Sequence, residues 1–137
     1  MTAGPSRERI RALLDRGAPW EACDAFRTAI GERPNDGELL YWGALAHARA
    51  GAAQVAHALL DKAQQATPAR ELVADIASLR GRLFKDAFHR APGRADASKL
   101  VGEAREQYQK AYAVAHDTHP GINAAALAML AGDVDAA

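Results

Sequence analysis

The residues that could carry chemistry in this sequence are few. His116 and His119 are three residues apart with Asp117 between them, so their side chains could in principle share a metal ion. Pro120 follows directly and breaks the backbone at this point. A solvated helix end explains the same residues without a metal, so we expect no metal site.

Nucleophilic and acid–base chemistry is also poorly supported. Cys23 is the single cysteine, so it cannot form an internal disulfide, and no His or second Cys stands beside it. We expect it to be a small packing residue. The sequence around Asp75, Asp86, Glu103 and Glu106 is more typical of solvated helix faces than of acid–base catalysis, and no phosphate-binding glycine loop, CxxC pair, HExxH helix or nucleophile elbow is present. The sequence predicts no catalytic residue, no cofactor and no enzyme activity.

Composition narrows the classes of partner. The chain has 137 residues, and 17 basic residues balance 17 acidic ones. A balanced charge gives no overall attraction to nucleic acid or to an anionic membrane. The segment from Met1 to Asp15 lacks the apolar core of a secretion signal, and no apolar run approaches the roughly 18 residues that span a bilayer. We expect a cytoplasmic protein that binds neither nucleic acid nor membrane.

One spacing pattern recurs with a period of 34 residues. It consists of a glycine, a small residue, a large apolar residue, a second small residue and a proline. It occurs at Gly17, Ala22, Phe26, Ala29 and Pro34 and again at Gly51, Ala56, Leu60, Ala63 and Pro68. Positions i, i+4 and i+7 share one helical face, so two helices can approach at the alanines while the large side chain fills the gap. Glycine and proline suit the helix ends, which makes the unit a helical hairpin.

This signature resembles the tetratricopeptide repeat. The resemblance implies an all-α, right-handed solenoid of three helical hairpins plus one further helix, about seven helices in all. We assign residues 1–137 to a single helical-repeat domain. Its repeats span about residues 3–36, 37–70 and 71–117, with a partial repeat at 118–137. A third copy of the pattern at Ala104, Tyr108 and Ala111 has His116 in place of the proline.

Two features depart from the regular repeat. An inserted loop at 90–98 is either a tolerated surface loop or a binding element. The seventh helix, 122–131, has no charged residue, although an outermost helix of a repeat array normally has a polar outer face. We therefore expect the natural chain to continue past Ala137. If it ends there, either another subunit covers this helix, which would mean self-association through the C-terminal helix, or the repeat assignment is wrong.

The second half, about residues 70–137, resembles a narrower family. The residues concerned are Arg80-Gly81-Arg82-Leu83-Phe84-Lys85-Asp86, then Ala104, Tyr108, Ala111 and Tyr112, and then His119-Pro120-Gly121-Ile122-Asn123-Ala124-Ala125 followed by Leu-Ala-Gly at 130–132. They look like the TRAFs-binding, tetratricopeptide-like regulatory domain of the apoptosis signal-regulating kinases and its bacterial relatives. That resemblance implies a scaffold that regulates an attached effector through protein contacts, with no catalytic residue.

In tetratricopeptide-like arrays the first helix of each hairpin lines a concave groove. The resemblance therefore implies that the partner-binding residues here are Arg7, Arg11, Tyr41, Leu45, Arg49, Arg82, Lys85 and Asn123. Such a groove would be basic with an apolar centre, and it would suit a peptide with acidic and aliphatic residues. Contact with the next repeat would also explain Tyr41 and Leu45. Trp42 stands where a chaperone-tail clamp has an asparagine, which argues against that type of ligand.

These observations lead to two functional hypotheses. The first is a non-catalytic protein–protein interaction and regulatory scaffold module of a larger, signalling-type protein. The alternative is a structural or oligomerisation segment that packs against an attached effector domain.

Overall fold

A computed structural model describes residues 4–66, 68–90, 93 and 96–115 of the chain. These residues form six α-helices and no strand, so the all-α prediction is confirmed. The helices are α1 (Gly4–Asp15), α2 (Pro19–Glu32), α3 (Gly37–Arg49), α4 (Ala53–Gln65), α5 (Arg70–Arg90) and α6 (Ala97–Ala115). None of these helices is both long and apolar enough to cross a membrane. The helix predicted at 122–131 and the histidines His116 and His119 lie outside the described residues.

The chain divides into two compact units, Met1–Pro68 and Ala69–Ala137. The first unit contains α1 to α4, and the second contains α5 and α6. The assignment of residues 1–137 to one domain stays a prediction.

The 34-residue period is visible in the turns of the first unit. Gly17 follows α1 with a φ of 74°, and Gly51 follows α3 with a φ of 87°. The Gly17 N–H donates to the Leu14 carbonyl at 3.0 Å, and the Ala18 N–H donates to the Leu13 carbonyl at 2.8 Å. Bonds of 3.1 and 2.8 Å close α3 in the same way around Gly51. Both helices therefore end in a Schellman motif, whose left-handed residue is best supplied by glycine.

Helix starts follow local chemistry. Pro19 is the first residue of α2, and the Asp36 carboxylate caps α3 by accepting from the Leu39 N–H at 3.0 Å. Helix α1 begins at Gly4, so Ser6 lies inside its first turn and not at its N-cap. Pro5 stands in the same turn, where its fixed φ suits a helix.

The core of the first unit is made where the repeating stripe meets the neighbouring helices. Helix α3 packs against α1, α2 and α4. The Phe26 ring of α2 lies against Gly43 of α3, so closely that a Cβ on Gly43 would overlap it. The fully buried side chains include Ile10, Ala22, Leu39, Ala44, Ala56, Leu60 and Ala63. Ala22 and Phe26 are buried as the stripe predicts, while Ala29 is only half-buried.

The second unit is the hairpin of α5 and α6. Its core face on α5 includes Leu72, Ile76, Leu79 and Leu83, which are all buried. Gly81 lets α6 approach, since an added Cβ would lie 3.2 Å from both the Ala104 carbonyl and the Tyr108 ring. The loop predicted at 90–98 overlaps the ends of both helices, since Arg90 belongs to α5 and Ala97 to α6. Residues 91, 92, 94 and 95 lie outside the described residues, so the inserted loop stays a prediction.

Candidate functional site

The predicted groove residues are divided between the two units. In the first unit they are Arg7 and Arg11 on α1 and Tyr41, Leu45 and Arg49 on α3; in the second they are Arg82 and Lys85 on α5. Asn123 lies outside the described residues. The candidate site is therefore built here from the two neighbouring helices α1 and α3.

Arg7 is tied to α3 by an ion pair. Its guanidinium Nη1 donates to Oε2 of Glu38, and the two side chains are 36% and 52% exposed. Its Nε atom is buried and has no hydrogen-bond partner in the described part of the chain. The pair fixes α1 against the start of α3 and neutralises one of the charges that the sequence assigned to the groove.

Helix α3 has two different faces. Leu40 and Ala44 lie in the core, whereas Tyr41 and Leu45 are half-buried on the other side of the helix. The Tyr41 ring meets that of Trp42 edge to face, with centroids 5.8 Å apart and an interplanar angle of 78°. Such pairs contribute beyond the area they bury, so the rings are held in place before any partner arrives. The result is a preformed, partly exposed apolar strip.

Arg49 continues this strip by one turn. It is exposed in the last turn of α3, and it forms no ion pair with any described residue. Arg11 lies 4.0 Å from Asp15 one turn along α1, with both side chains about 70% exposed. Exposed pairs of this kind are weak. Arg49 and Arg11 therefore both leave positive charge available at this surface.

In the second unit, the two predicted partner-binding residues are Arg82 and Lys85, and both lie on α5. Arg82 is exposed and Lys85 half-buried on α5. Burial raises the pKa of the Tyr108 hydroxyl, and the Asp86 carboxylate raises it further, whereas the Arg82 charge lowers it. Arg82 therefore acts electrostatically on a tyrosine of its own hairpin.

Sequence reasoning missed a second surface on α1 and α2. A cavity of about 600 Å³ is lined there by Ser6, Arg9, Glu21, Asp24, Ala25, Thr28, Ala29 and Glu32. Trp20, at the start of α2, is 67% exposed. The sequence contains a signal for both the cavity and the exposed Trp20. Trp20, Asp24 and Thr28 are spaced four residues apart, so they share one face of α2, and that face differs from the face of the buried stripe.

The described residues offer little for catalysis. No three of their His, Cys, Asp or Glu side chains are grouped so that they could hold a metal ion. Cys23 is buried at 2% exposure, as predicted. Burial raises the pKa of its thiol, with Arg27 lowering it and Asp24 raising it. A buried, protonated thiol is a poor nucleophile.

Comparison with known proteins supports the repeat assignment. A family model described as Tetratricopeptide Repeats-Sensor matches residues 19–128, which is most of the chain. No curated protein matches the sequence. The match agrees with the paired helices and with the repeated glycine turns described above. The narrower resemblance to the regulatory domain of the apoptosis signal-regulating kinases is not confirmed by it.

Proposed function

The chain belongs to the tetratricopeptide repeats-sensor family, and from this premise we propose that it is a non-catalytic protein-binding module that regulates a signalling effector. A repeat domain of this type suggests a protein–protein interaction or scaffold role. Such repeats are typically not catalytic. The balanced charge and the single cysteine favour a cytoplasmic setting.

The observation that carries the proposal is the second face of α3. A helix that only served the core would need one apolar face. Here Tyr41, Trp42 and Leu45 add a partly exposed apolar strip beside the core residues of the same helix. Its aromatic rings are already packed against each other, which reduces the entropy lost when a partner binds. The strip is therefore suited to anchor a side chain of a second protein.

The positive charge next to the apolar strip of α3 indicates which class of peptide could bind there. Arg49 lies one turn beyond Leu45, and a guanidinium recognises a carboxylate through two parallel hydrogen bonds. A peptide with an aliphatic residue and an acidic residue about one helical turn away would satisfy both. We propose that this peptide class binds the α1–α3 surface, with Arg7 and Arg11 adding weaker attraction.

The test uses a synthetic peptide of alternating leucine and glutamate and a matched peptide with lysine in place of glutamate. Chemical shifts of backbone amides would be followed during titration of the isotope-labelled protein. We expect the acidic peptide to bind and to shift the amides around Tyr41 to Arg49. Truncating Tyr41 and Arg49 together to alanine should weaken this binding at least fivefold, which corresponds to about 1 kcal/mol.

The matched control truncates an aromatic and a cationic residue of α6, Tyr112 and Lys110, and it should leave peptide affinity unchanged. Circular dichroism would establish that both double variants remain helical. Equal binding of the two peptides, or equal affinity of the Tyr41/Arg49 variant and the wild type, would remove this surface as the peptide site. The alternative function as an oligomerisation segment predicts instead a molecular mass in sedimentation that rises with protein concentration.

A further inference from the structure

The cavity on α1 and α2 lies on a different side of α1 from the ion pair with α3. Arg7 reaches Glu38 on α3, whereas Ser6 and Arg9 line the cavity together with α2. At about 600 Å³, the cavity is large enough for several side chains of a bound segment. This surface is separate from the α3 face proposed above as a peptide site.

The repeat register shows what occupies the corresponding face one repeat later. Adding 34 to the positions of Ser6 and Arg9 gives Leu40 and Gly43 on α3. Phe26 of α2 packs on that face, against Gly43. Within residues 4–66, α1 contacts α2 and α3, and no helix of this range takes the equivalent place on α1. The position is thus one that the repeat geometry uses for packing a further segment.

A segment bound at this position on α1 cannot pack in the way that Phe26 packs against Gly43 on α3. Gly43 leaves room for an aromatic ring, whereas the corresponding residue of α1 is Arg9, which is exposed and has a long, charged side chain. Most lining residues are charged or carry a hydroxyl, and only Ala25 and Ala29 are apolar residues, although carbon atoms supply the larger part of the lining surface. An occupant is therefore selected by its charge, while the carbon stem of a long side chain packs against the same surface.

The charge of the cavity favours a cationic occupant. Three carboxylates, from Glu21, Asp24 and Glu32, face a single guanidinium, that of Arg9. Arg16 lies 3.6 Å from Glu21, and Arg27 lies 2.7 Å from Asp24. These pairs are more than 60% exposed, so an incoming cation can exchange with them at little cost. Glu32 has no ion-pair partner among the described residues.

Trp20 adds a second recognition element at the same surface. It stands one turn before Asp24 on α2, and it is 67% exposed, the largest exposure among the large apolar side chains of the described residues. The face of an indole ring attracts lysine and arginine. A cationic side chain could therefore lie against Trp20 while it pairs with Asp24.

From the cavity, the repeat register, the carboxylates and the exposed indole together, we infer that the α1–α2 cavity docks a lysine- or arginine-rich peptide segment of a partner protein. This second surface has the opposite charge preference to the α3 face. The protein would then hold an acidic segment and a basic segment at two separate places. Such an arrangement lets it bridge two partners, or two parts of one partner.

The test uses a synthetic peptide of alternating lysine and alanine, and a matched peptide with glutamate in place of lysine. In a Trp42→Phe background, Trp20 is the only indole, so its fluorescence reports on the cavity. We expect the lysine peptide to change this fluorescence and to shift the amides of Thr28 and Glu32, and the glutamate peptide to do neither. Binding should weaken as salt concentration rises.

Neutralising Asp24 and Glu32 together, as Asp24→Asn and Glu32→Gln, should weaken the lysine peptide about fivefold or more. Thr28→Lys places a like charge in the cavity on an exposed position, and it should reduce binding further without disturbing the core. The matched control neutralises two exposed carboxylates of the second unit, Glu71→Gln with Glu106→Gln, and it should have no effect.

Three results would overturn the inference. They are equal binding of the two peptides, full affinity in both the neutralised and the Thr28→Lys proteins, or amide shifts that fall on α5 and α6 instead. The Tyr41 and Arg49 double variant separates this surface from the peptide site on α3. It should bind the lysine peptide normally even where it has lost the acidic one, and the failure of one site therefore leaves the other testable.

Discussion

The ring of Phe26 on α2 lies directly against the backbone of Gly43 on α3. A Cβ atom on Gly43 would overlap the Cγ, Cδ1 and Cε1 atoms of that ring, and the ring edge also meets His47, with centroids 5.9 Å apart. The His47 Nδ1 lies 2.7 Å from the Gly43 carbonyl, which holds the imidazole in place. The contact between the two hairpins therefore depends on the absence of a single methyl group.

Replacing Gly43 by alanine should destabilise the protein. The added methyl must displace an enclosed aromatic ring, and overpacking of this kind costs about 1–3 kcal/mol, more than the roughly 1 kcal/mol that alanine gains over glycine in a helix. Urea unfolding followed by circular dichroism would measure the difference. Gly31→Ala is the control, because nothing lies within 4 Å of its added Cβ, and it should be neutral or stabilising. Equal effects at Gly43 and Gly31 would contradict the close contact.

Substitution of either glycine with a positive φ, Gly17 or Gly51, should destabilise the protein to a similar extent. Gly17→Ala and Gly51→Ala force an L-residue into a positive φ, which costs about 1–2 kcal/mol each, although neither position is crowded. Asparagine tolerates this conformation better, so Gly17→Asn and Gly51→Asn should lower the free energy of unfolding less than the alanine variants do. Unfolding free energies would show whether the alanine and asparagine variants differ in this order at both sites. A neutral alanine at one site only would mean that the two turns are not equivalent.

Local signals in the sequence predicted the framework. Glycines 34 residues apart at Gly17 and Gly51 end their helices with the same pair of hydrogen bonds, because a Schellman motif involves only neighbouring residues. The Asp36 cap and the buried Ala22 and Phe26 follow from equally local rules. Periodicity therefore sufficed to identify the hairpins and the residues that face their core.

Contacts between residues that are far apart in the sequence could not be predicted from local patterns. The sequence predicts Arg7 as a partner-binding residue of the groove, and the structure adds that Glu38, 31 residues away, pairs with it. Nothing in the spacing of either residue shows that α1 and α3 bring them together. The α1–α2 cavity was missed for a related reason, since it depends on which side of α1 a neighbouring helix leaves uncovered. The candidate sites thus required tertiary contacts, while the fold class did not.

The start of α3 should depend on one carboxylate. Asp36→Ala removes the acceptor for the Leu39 N–H and should cost about 1 kcal/mol, since an unsatisfied amide remains at the helix end. Asp36→Asn retains a side-chain oxygen and should be nearly neutral. Thermal unfolding of the two variants would test this order. If the asparagine variant lost as much as the alanine variant, capping by this side chain would not explain its contribution.

Alkaline pH should destabilise the first unit through Cys23. Its folded pKa is raised above the ordinary value of 9.0 by burial, so above that pH the unfolded chain releases the thiol proton before the folded chain does. The free energy of unfolding should be independent of this group below pH 9.0 and should decrease as pH rises above it. Urea unfolding across this range would measure the slope, and Cys23→Ala should reduce it. An identical slope in the alanine variant would exclude Cys23 as its source.

The ion pair between Arg7 and Glu38 should affect peptide binding more than it affects stability. Exposed pairs contribute only about 0–1 kcal/mol, so Glu38→Gln should change the unfolding free energy little. The same substitution releases the Arg7 guanidinium and removes a negative charge about one helical turn from Tyr41. If the acidic, aliphatic peptide class binds here, its affinity should increase by about threefold, and the gain should disappear at high salt. Glu103→Gln is the matched control, because it releases Lys99 on α6 in the same way, 4.0 Å from its partner, and should leave the affinity unchanged. Weaker binding by the Glu38→Gln protein would show instead that the intact pair, by holding α1 against α3, forms part of the binding surface.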